Sequence, residues 1–442
     1  MKKVSTLLLL ALLGVASVSC KDDKNDEPTP VEQNTEVVEL SGSITSDMIL
    51  KADKKYLLKG FVYVQAPAKL TVEPGTIIKG DKLTKGSLIV ERGAQLIARG
   101  TAEKPIVFTS NEAKGTRKAG DWGGLIILGN APVNSGSSTA IEGGVDRLYG
   151  GSNVADNSGV LKYVRVEFAG IAYQTDNEIN GITFGGVGNG TEVDFVQVSF
   201  GGDDAFEWFG GTVNAKHLVA YKTVDDMFDT DNGYSGTIQY AVGISDPNVA
   251  DVSKSNGFET DNDKNGSQNT PFTMAKFSNV SLFGPLAIAN TTANSNYGSG
   301  IHFKKNTKIS VYNSVIAGWP NGILLDGAAV EGNTANELKF KNNVIVGAKS
   351  PLNLAANSTF NIQNWFDSNN NVIKAANTDL KVDGAFKQAG VPAFLPGAGS
   401  ELLSGASFDG VSGFEAVSFR GAFGTTDWTA GWTNFDPQNT DY

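Results

Sequence analysis

Three short segments in the middle of the chain carry one pattern: Asp204-Ala205-Phe206-Glu207, Asp226-Met227-Phe228-Asp229 and Asn256-Gly257-Phe258-Glu259. They begin at positions 204, 226 and 256, an interval of 22 and then one of 30. Apolar positions extend the series in both directions. Ile182-Thr183-Phe184 precedes Phe206-Glu207-Trp208 at a similar interval, and Ile301-His302-Phe303 and Ile323-Leu324-Leu325, again 22 apart, follow. Like residue types returning at such intervals are what the stacked coils of a solenoid require. The expected fold is all-β, a parallel β-helix.

Side chains of a strand alternate faces, so the alignment sorts into columns. Ile182, Phe206, Phe228, Phe258, Ile301 and Ile323 form an inward column. Thr183, Glu207, Asp229, Glu259, His302 and Leu324 form the outward one, and two residues further on stand Gly185, Phe209, Asp231, Asp261, Lys304 and Asp326. Asn180, Asp204, Asp226, Asn256 and Asn321 align as turn residues. Nearer the N-terminus, Val72-Glu73-Pro74-Gly75 is echoed by Val90-Glu91-Arg92-Gly93 at the smaller interval of 18, which predicts shorter coils there.

The N-terminus has the form of an export signal. Lys2 and Lys3 precede an apolar run, Leu7 to Leu13, too short to span a bilayer. It ends at Ser17-Val18-Ser19-Cys20, which resembles a bacterial lipobox with Ser17 in the usual Leu position. Cys20 is the one cysteine in the sequence, so lipidation explains it better than a disulfide, and the fold is expected to stand without one. Lys21 to Pro30 is polar and Pro-containing, a tether rather than a core-forming segment. The expected organisation is therefore signal peptide 1–19, lipidated tether 20–38, β-helix 39–356 and a C-terminal cap 357–442.

Without the signal segment the chain carries 34 Lys and Arg against 47 Asp and Glu. That balance disfavours nucleic acid as a partner and leaves the lipid as the membrane attachment. The 52 glycines suit short strands joined by tight turns. Longer loops at 134–159, 246–256 and 262–271 are where binding walls are expected. The last part contains Trp365, Trp428 and Trp432 and loses the period; it reads as a cap over the apolar end, or alternatively as an aromatic platform for sugar.

Adjacent coils are about 4.8 Å apart, so neighbouring carboxylates repel by about 3.5 kcal/mol at an effective dielectric of 20. Glu207, Asp229 and Glu259, with Asp231 and Asp261 beside them, need relief from a hard cation, raised pKa values or full solvation. Oxygen-only ligands point to Ca²⁺ on these five residues, with a solvated acidic face as the alternative. Glu207, Asp229, His302 and Lys304 are the candidates for catalysis: paired carboxylates suit a glycosidase, and His302 or Lys304 suits the base of a lyase. Phe209, Tyr234 and Tyr297 are the candidate sugar-binding aromatics.

Thr71 to Gly80, Gly120-Asp121-Trp122-Gly123-Gly124, Phe206 to Thr212, Asp231 to Gly236 and Trp428 to Trp432 resemble segments of a family of right-handed β-helix lipoproteins of Bacteroidota, itself similar to pectate lyases in architecture. Lys21-Asp22-Asp23 resembles the export signal of their surface-exposed lipoproteins. The resemblance implies an outer-membrane, surface-exposed location and partnership with a TonB-dependent transporter. Asp203-Asp204 is similar to the paired aspartates of polygalacturonases, but their Gly-His-Gly and Arg-Ile-Lys are missing, and Asn-Thr-Asp occurs only at 377–379 and 439–441. The expected function is a surface-anchored module that binds a glycan or other nutrient, with calcium. The alternatives are a polysaccharide lyase or glycoside hydrolase, and a structural or adhesive surface protein.

Overall fold

The computed structural model describes residues 37–442, apart from 137–138, 175–176, 289 and 383–389. The signal segment, Cys20 and residues 21–36 of the expected tether lie outside the described residues; Val37 and Val38, expected in the tether, already belong to strand Val37–Ile44, which pairs with Lys55–Val64.

Parallel strands stack coil upon coil into three long sheets. The first runs through Ser87–Val90, Leu125–Leu128, Ile182–Gly185, Phe206–Phe209, Phe228–Asp231, Phe258–Thr260, Ser299–Phe303, Asn321–Leu325 and Ser350–Leu354. Its register is the one the periodicity predicts. Ile182 pairs with Phe206, Phe206 with Phe228, Phe228 with Phe258, Phe258 with Ile301 and Ile301 with Ile323. All six are fully buried, and the rings meet in series: Phe206 stacks on Phe228 at 5.6 Å, and Phe228 meets Phe258 at 5.3 Å with the rings tilted by 51°.

The second and third sheets share long strands that bend in the middle. Gly159–Glu167, Glu192–Ser199, Asn214–Tyr221, Thr237–Ile244 and Lys276–Phe283 turn at Tyr163, Phe195, His217, Tyr240 and Asn279, whose φ values are 50°, 54°, 52°, 62° and 55°. A left-handed backbone is unfavourable for such side chains, by roughly 1–2 kcal/mol each. Contact between coils offsets it. Tyr163 stacks on Phe195 at 4.5 Å, Phe195 on His217 at 4.2 Å and His217 on Tyr240 at 5.1 Å.

Two expectations change. The echo of Val72 in Val90 does not mark a coil: Leu70 pairs with Leu96 and Val64 with Val90, so Val72 and Val90 lie on different sheets of the stack. Coils also continue beyond 356, because Val372–Lys374 pairs with Val344–Val346. The stretch expected as a cap divides. Helix Ile362–Ser368 brings Trp365 and Phe366 onto Phe340 of the late coils. The described residues from Leu380 onward instead cover the outer face of the third sheet, burying Leu380, Phe394, Leu402, Phe423 and Trp432 with Val219, Val242, Val315 and Val344. That outer face is apolar and needs a cover as much as the end does. At the far end Arg117 donates to the carbonyls of Pro437 (2.7 Å) and Thr440 (2.9 Å), and the Tyr442 hydroxyl donates to buried Glu167 at 2.7 Å.

Phe228 sits between the rings of Phe206 and Phe258 with no solvent exposure, so Phe228→Ala should destabilise the fold by about 3–5 kcal/mol in urea unfolding. Leu83→Ala, at a position 94% exposed, should change it by less than about 0.5 kcal/mol. Equal effects of the two would contradict the stacked-core description.

Candidate functional site

The outward column of the first sheet places Glu207, Asp229, Glu259 and His302 side by side on consecutive strands. Ahead of each strand the turn residue reaches across to the next coil. Asp204 Oδ1 accepts the Asp226 N–H at 2.8 Å, Asp226 Oδ1 accepts the Asn256 N–H, and Asn256 Oδ1 accepts the Ser299 N–H at 2.8 Å. These turn residues are more than spacers, because the carboxylates of Asp204 and Asp226 also face the column. Three groups result, each with carboxylate oxygens within 4.8 Å of one another: Asp203, Asp204 and Asp225; Asp204, Glu207 and Asp229; Asp226, Asp229 and Glu259.

The face is not a solvated one. Asp204, Glu207 and Asp226 are 7%, 7% and 3% exposed. Loops close over it: Ser253 donates its hydroxyl to Asp225 at 2.9 Å, and Glu142 shares the Asn180 amide with Glu207. Burial, reinforced by the neighbouring carboxylates, holds Asp203, Asp204, Glu207, Asp226 and Asp229 well above the usual carboxylate range. Burial also pushes Asp225 and Asp231 up to about 7.

Cationic side chains meet the column at its Glu259 end. Lys304 bonds to Glu259 and lies 3.7 Å from Asp261, and Lys305 lies 2.7 Å from Asp261. Burial works against the charge of Lys304, but Glu259 and Asp261 outweigh it and raise its pKa. Among the described residues no Lys or Arg forms an ion pair with Asp203, Asp204, Glu207, Asp225 or Asp229. Asp225 Oδ1 and Asp229 Oδ1 are moreover buried without a hydrogen-bond partner. Unpartnered buried carboxylate oxygens in an all-oxygen cluster fit a hard divalent cation such as Ca²⁺.

The metal candidates are thereby redistributed. Glu207, Asp229 and Glu259 belong to the three groups, while Asp231 and Asp261 stand outside them, two positions further along the chain than Asp229 and Glu259. Asp203, Asp204, Asp225 and Asp226 were the missed members. Their signal was present, since Asp203-Asp204 and Asp225-Asp226 are doublets that recur at the interval of the motif itself.

Two of the three candidate sugar-binding aromatics are unavailable. Phe209 does point out of the coil, but Ile141, Val145, Tyr149 and Ile179 bury it under the loops. Tyr234 follows Gly233, whose φ of 89° turns the chain so that the ring enters the core, stacks on Trp208 at 5.3 Å and donates to the Val213 carbonyl. Tyr297 is buried as well, its hydroxyl donating to the Asp246 carbonyl at 2.7 Å, but it lines a cleft of about 340 Å³ together with Lys254, Asn256, Glu259, His302 and Lys304. There His302 lies between two carboxylates, with Nε2 3.0 Å from Asp326 and Nδ1 3.8 Å from Glu259.

The family described as "Pectate-lyase like beta helix domain" matches residues 42–433. Among solved structures, one described as "Crystal structure of pectate lyase Pel9A" aligns over 88% of this chain and 88% of that chain, at 13% identity and a TM-score of 0.35. No curated protein matches in sequence.

Asp225 and Asp231 bind a proton more tightly in the folded protein than in the unfolded chain, where aspartate titrates near 3.9. The folded state therefore holds the extra protons between about pH 4 and pH 7, and stability falls as pH rises through that window. In chelator, the melting temperature should drop across it. The double variant Asp225→Asn, Asp231→Asn should flatten the drop and melt higher by about 2 °C or more above pH 7. An unchanged slope in the variant would contradict the assignment.

Proposed function

Because the chain belongs to the pectate-lyase-like β-helix family, we propose that its buried carboxylate face is a Ca²⁺ centre through which the protein binds an acidic glycan. The observation that carries this reading is the pair of unpartnered buried oxygens on Asp225 and Asp229 within groups of three carboxylates. Asp203, Asp204, Asp225, Glu207 and Asp229 would hold the cation. When bound, it supplies positive charge that a uronate carboxylate can share, since Ca²⁺ takes six to eight oxygens. A protein of this acidity needs such a bridge to hold a polyanion. Lys304 and Lys254, lining the adjoining cleft, supply further positive charge toward the same ligand. Lipid anchoring at Cys20, display on the outer membrane and delivery to a TonB-dependent transporter complete the reading; they rest on the sequence features of the N-terminus and the resemblance given above.

A second reading, a polysaccharide lyase, is favoured by one observation: His302 lines the cleft beside Glu259 and Lys304. His302 would take the proton from the carbon next to the uronate carboxylate. The electron pair of that C–H bond then forms the carbon–carbon double bond as the bond from the neighbouring carbon to the glycosidic oxygen breaks, and the leaving oxygen takes a proton from water. Lys304, held charged by Glu259 and Asp261, does not serve as the base and instead stabilises negative charge.

Calorimetric titration of calcium chloride into the metal-free protein should give a binding heat, and Asp229→Asn should weaken it at least about tenfold. Absence of heat in the parent protein would overturn the cation centre. Oligogalacturonate should then bind with calcium and not with chelator. Ultraviolet absorbance of an unsaturated product, lost in His302→Ala with binding retained, would select the lyase.

A further inference from the structure

A second groove runs along the ridge where the second and third sheets meet. One cavity, of about 350 Å³, is lined by His217, Tyr240, Glu415, Phe419, Thr426 and Trp428. Another, of about 360 Å³, is lined by Glu192, Asp194, Asn214, Lys216, Thr237 and Gly413. Their linings come close in sequence (Lys216 and His217; Gly413 and Glu415), so the cavities lie side by side along the strand direction: the second crosses three consecutive coils, Glu192–Ser199, Asn214–Tyr221 and Thr237–Ile244, and the first crosses the last two of them. The coil rise of about 4.8 Å is close to the length of one pyranose unit.

The outer wall is built, not draped. Gln239 Nε2 donates to the Glu415 carbonyl at 2.8 Å, and the Glu415 N–H donates back to Gln239 Oε1 at 2.9 Å. Phe419 stacks over Tyr240 at 6.1 Å, and Trp428 meets His217 edge-on at 5.1 Å while its indole N–H is held by the Ala422 carbonyl. Aromatic positions are thus fixed before any ligand arrives, which spares the ordering free energy of binding.

The charges of this groove are closed among themselves. Glu192 pairs with Arg99 at 2.5 Å and Lys162 at 3.4 Å, Asp194 with Lys162 at 3.3 Å, and Lys216 with Glu415 at 3.8 Å, while the His217 ring is hydrogen-bonded to Asp194 at 2.8 Å. Such a surface has little to offer a uronate or a metal ion. Half-buried ring surface beside the hydroxyls of Thr237, Thr425 and Thr426 suits an uncharged sugar, which combines an apolar ring face with directed hydrogen bonds. We propose that this groove is a second glycan-binding site, for a neutral polysaccharide strand, which works without a cation and independently of the carboxylate face.

Cellohexaose, xylohexaose and mannohexaose, titrated into the full chain in EDTA and followed by calorimetry and tryptophan fluorescence, test it, with hexagalacturonate as comparator. At least one neutral hexasaccharide should bind in EDTA. Trp428→Ala should weaken it at least about tenfold. Thr426→Trp, which fills the cavity from an exposed wall position and removes no packing, should do the same. Asp229→Asn should leave it unchanged, which separates this site from the carboxylate centre. The proposal is overturned if none of the three neutral sugars binds, if Thr426→Trp keeps the parent affinity, if binding vanishes in EDTA, or if hexagalacturonate binds as tightly there.

Discussion

Everything in this molecule depends on the register between one coil and the next. In a parallel stack each residue lies over its counterpart about 4.8 Å away, so whatever a sequence position carries is repeated as a column. Inside, the column is apolar and aromatic, and the rings of Phe206, Phe228 and Phe258 fill it in contact with one another. At the turns it is polar, where Asp204, Asp226 and Asn256 each hand an oxygen to the backbone N–H of the following coil. At another corner the link runs the opposite way: Asn343 and Asn371 accept from the backbone N–H of the preceding coil, at Ser314 (2.8 Å) and Asn343 (2.9 Å). The same device satisfies buried backbone donors and holds the register.

On the outer face the same rule forces like charges together. A column of Glu207, Asp229 and Glu259 flanked by the turn aspartates is an unfavourable arrangement for an isolated protein, and the loops that bury it make it more so. The chain answers at one end with Lys304 and Lys305 and leaves the other end open. That asymmetry separates a neutralised, structural half from a half that asks for a ligand. The cleft beside His302 borders the neutralised half, where Glu259 bonds to Lys304 and Asp326 bonds to the His302 ring.

The third sheet shows the complementary problem. Its outer positions are apolar, and the C-terminal segment covers them while running back past coil after coil to Arg117 and Glu167. Because that cover leaves the aromatic ridge partly open, His217 and Tyr240 line a groove and Trp428 becomes its wall. His217 is a stacked member of the ridge, with Asp194 fixing one ring nitrogen.

Period alone was enough to determine the parallel coil, the six inward and six outward positions of the first sheet, and the existence of a carboxylate column. Alternation and stacking are local rules that each residue obeys within its own coil. Three things were decided only by the tertiary structure. Phe209 and Tyr234 lost their solvent because a loop folded over one and a left-handed turn redirected the other, and neither event leaves a mark on periodicity. Asp203 and Asp225 joined the site through placement and burial: both fall in one group of three carboxylates, and Asp225 keeps an oxygen without a partner. The segment that follows Leu380 found its place along the flank through contacts between parts of the chain far apart in sequence, as between Asn434 and Gln197. Pairings of that kind are set by which surfaces remain uncovered once the coils have stacked, and no repeat in the chain encodes them.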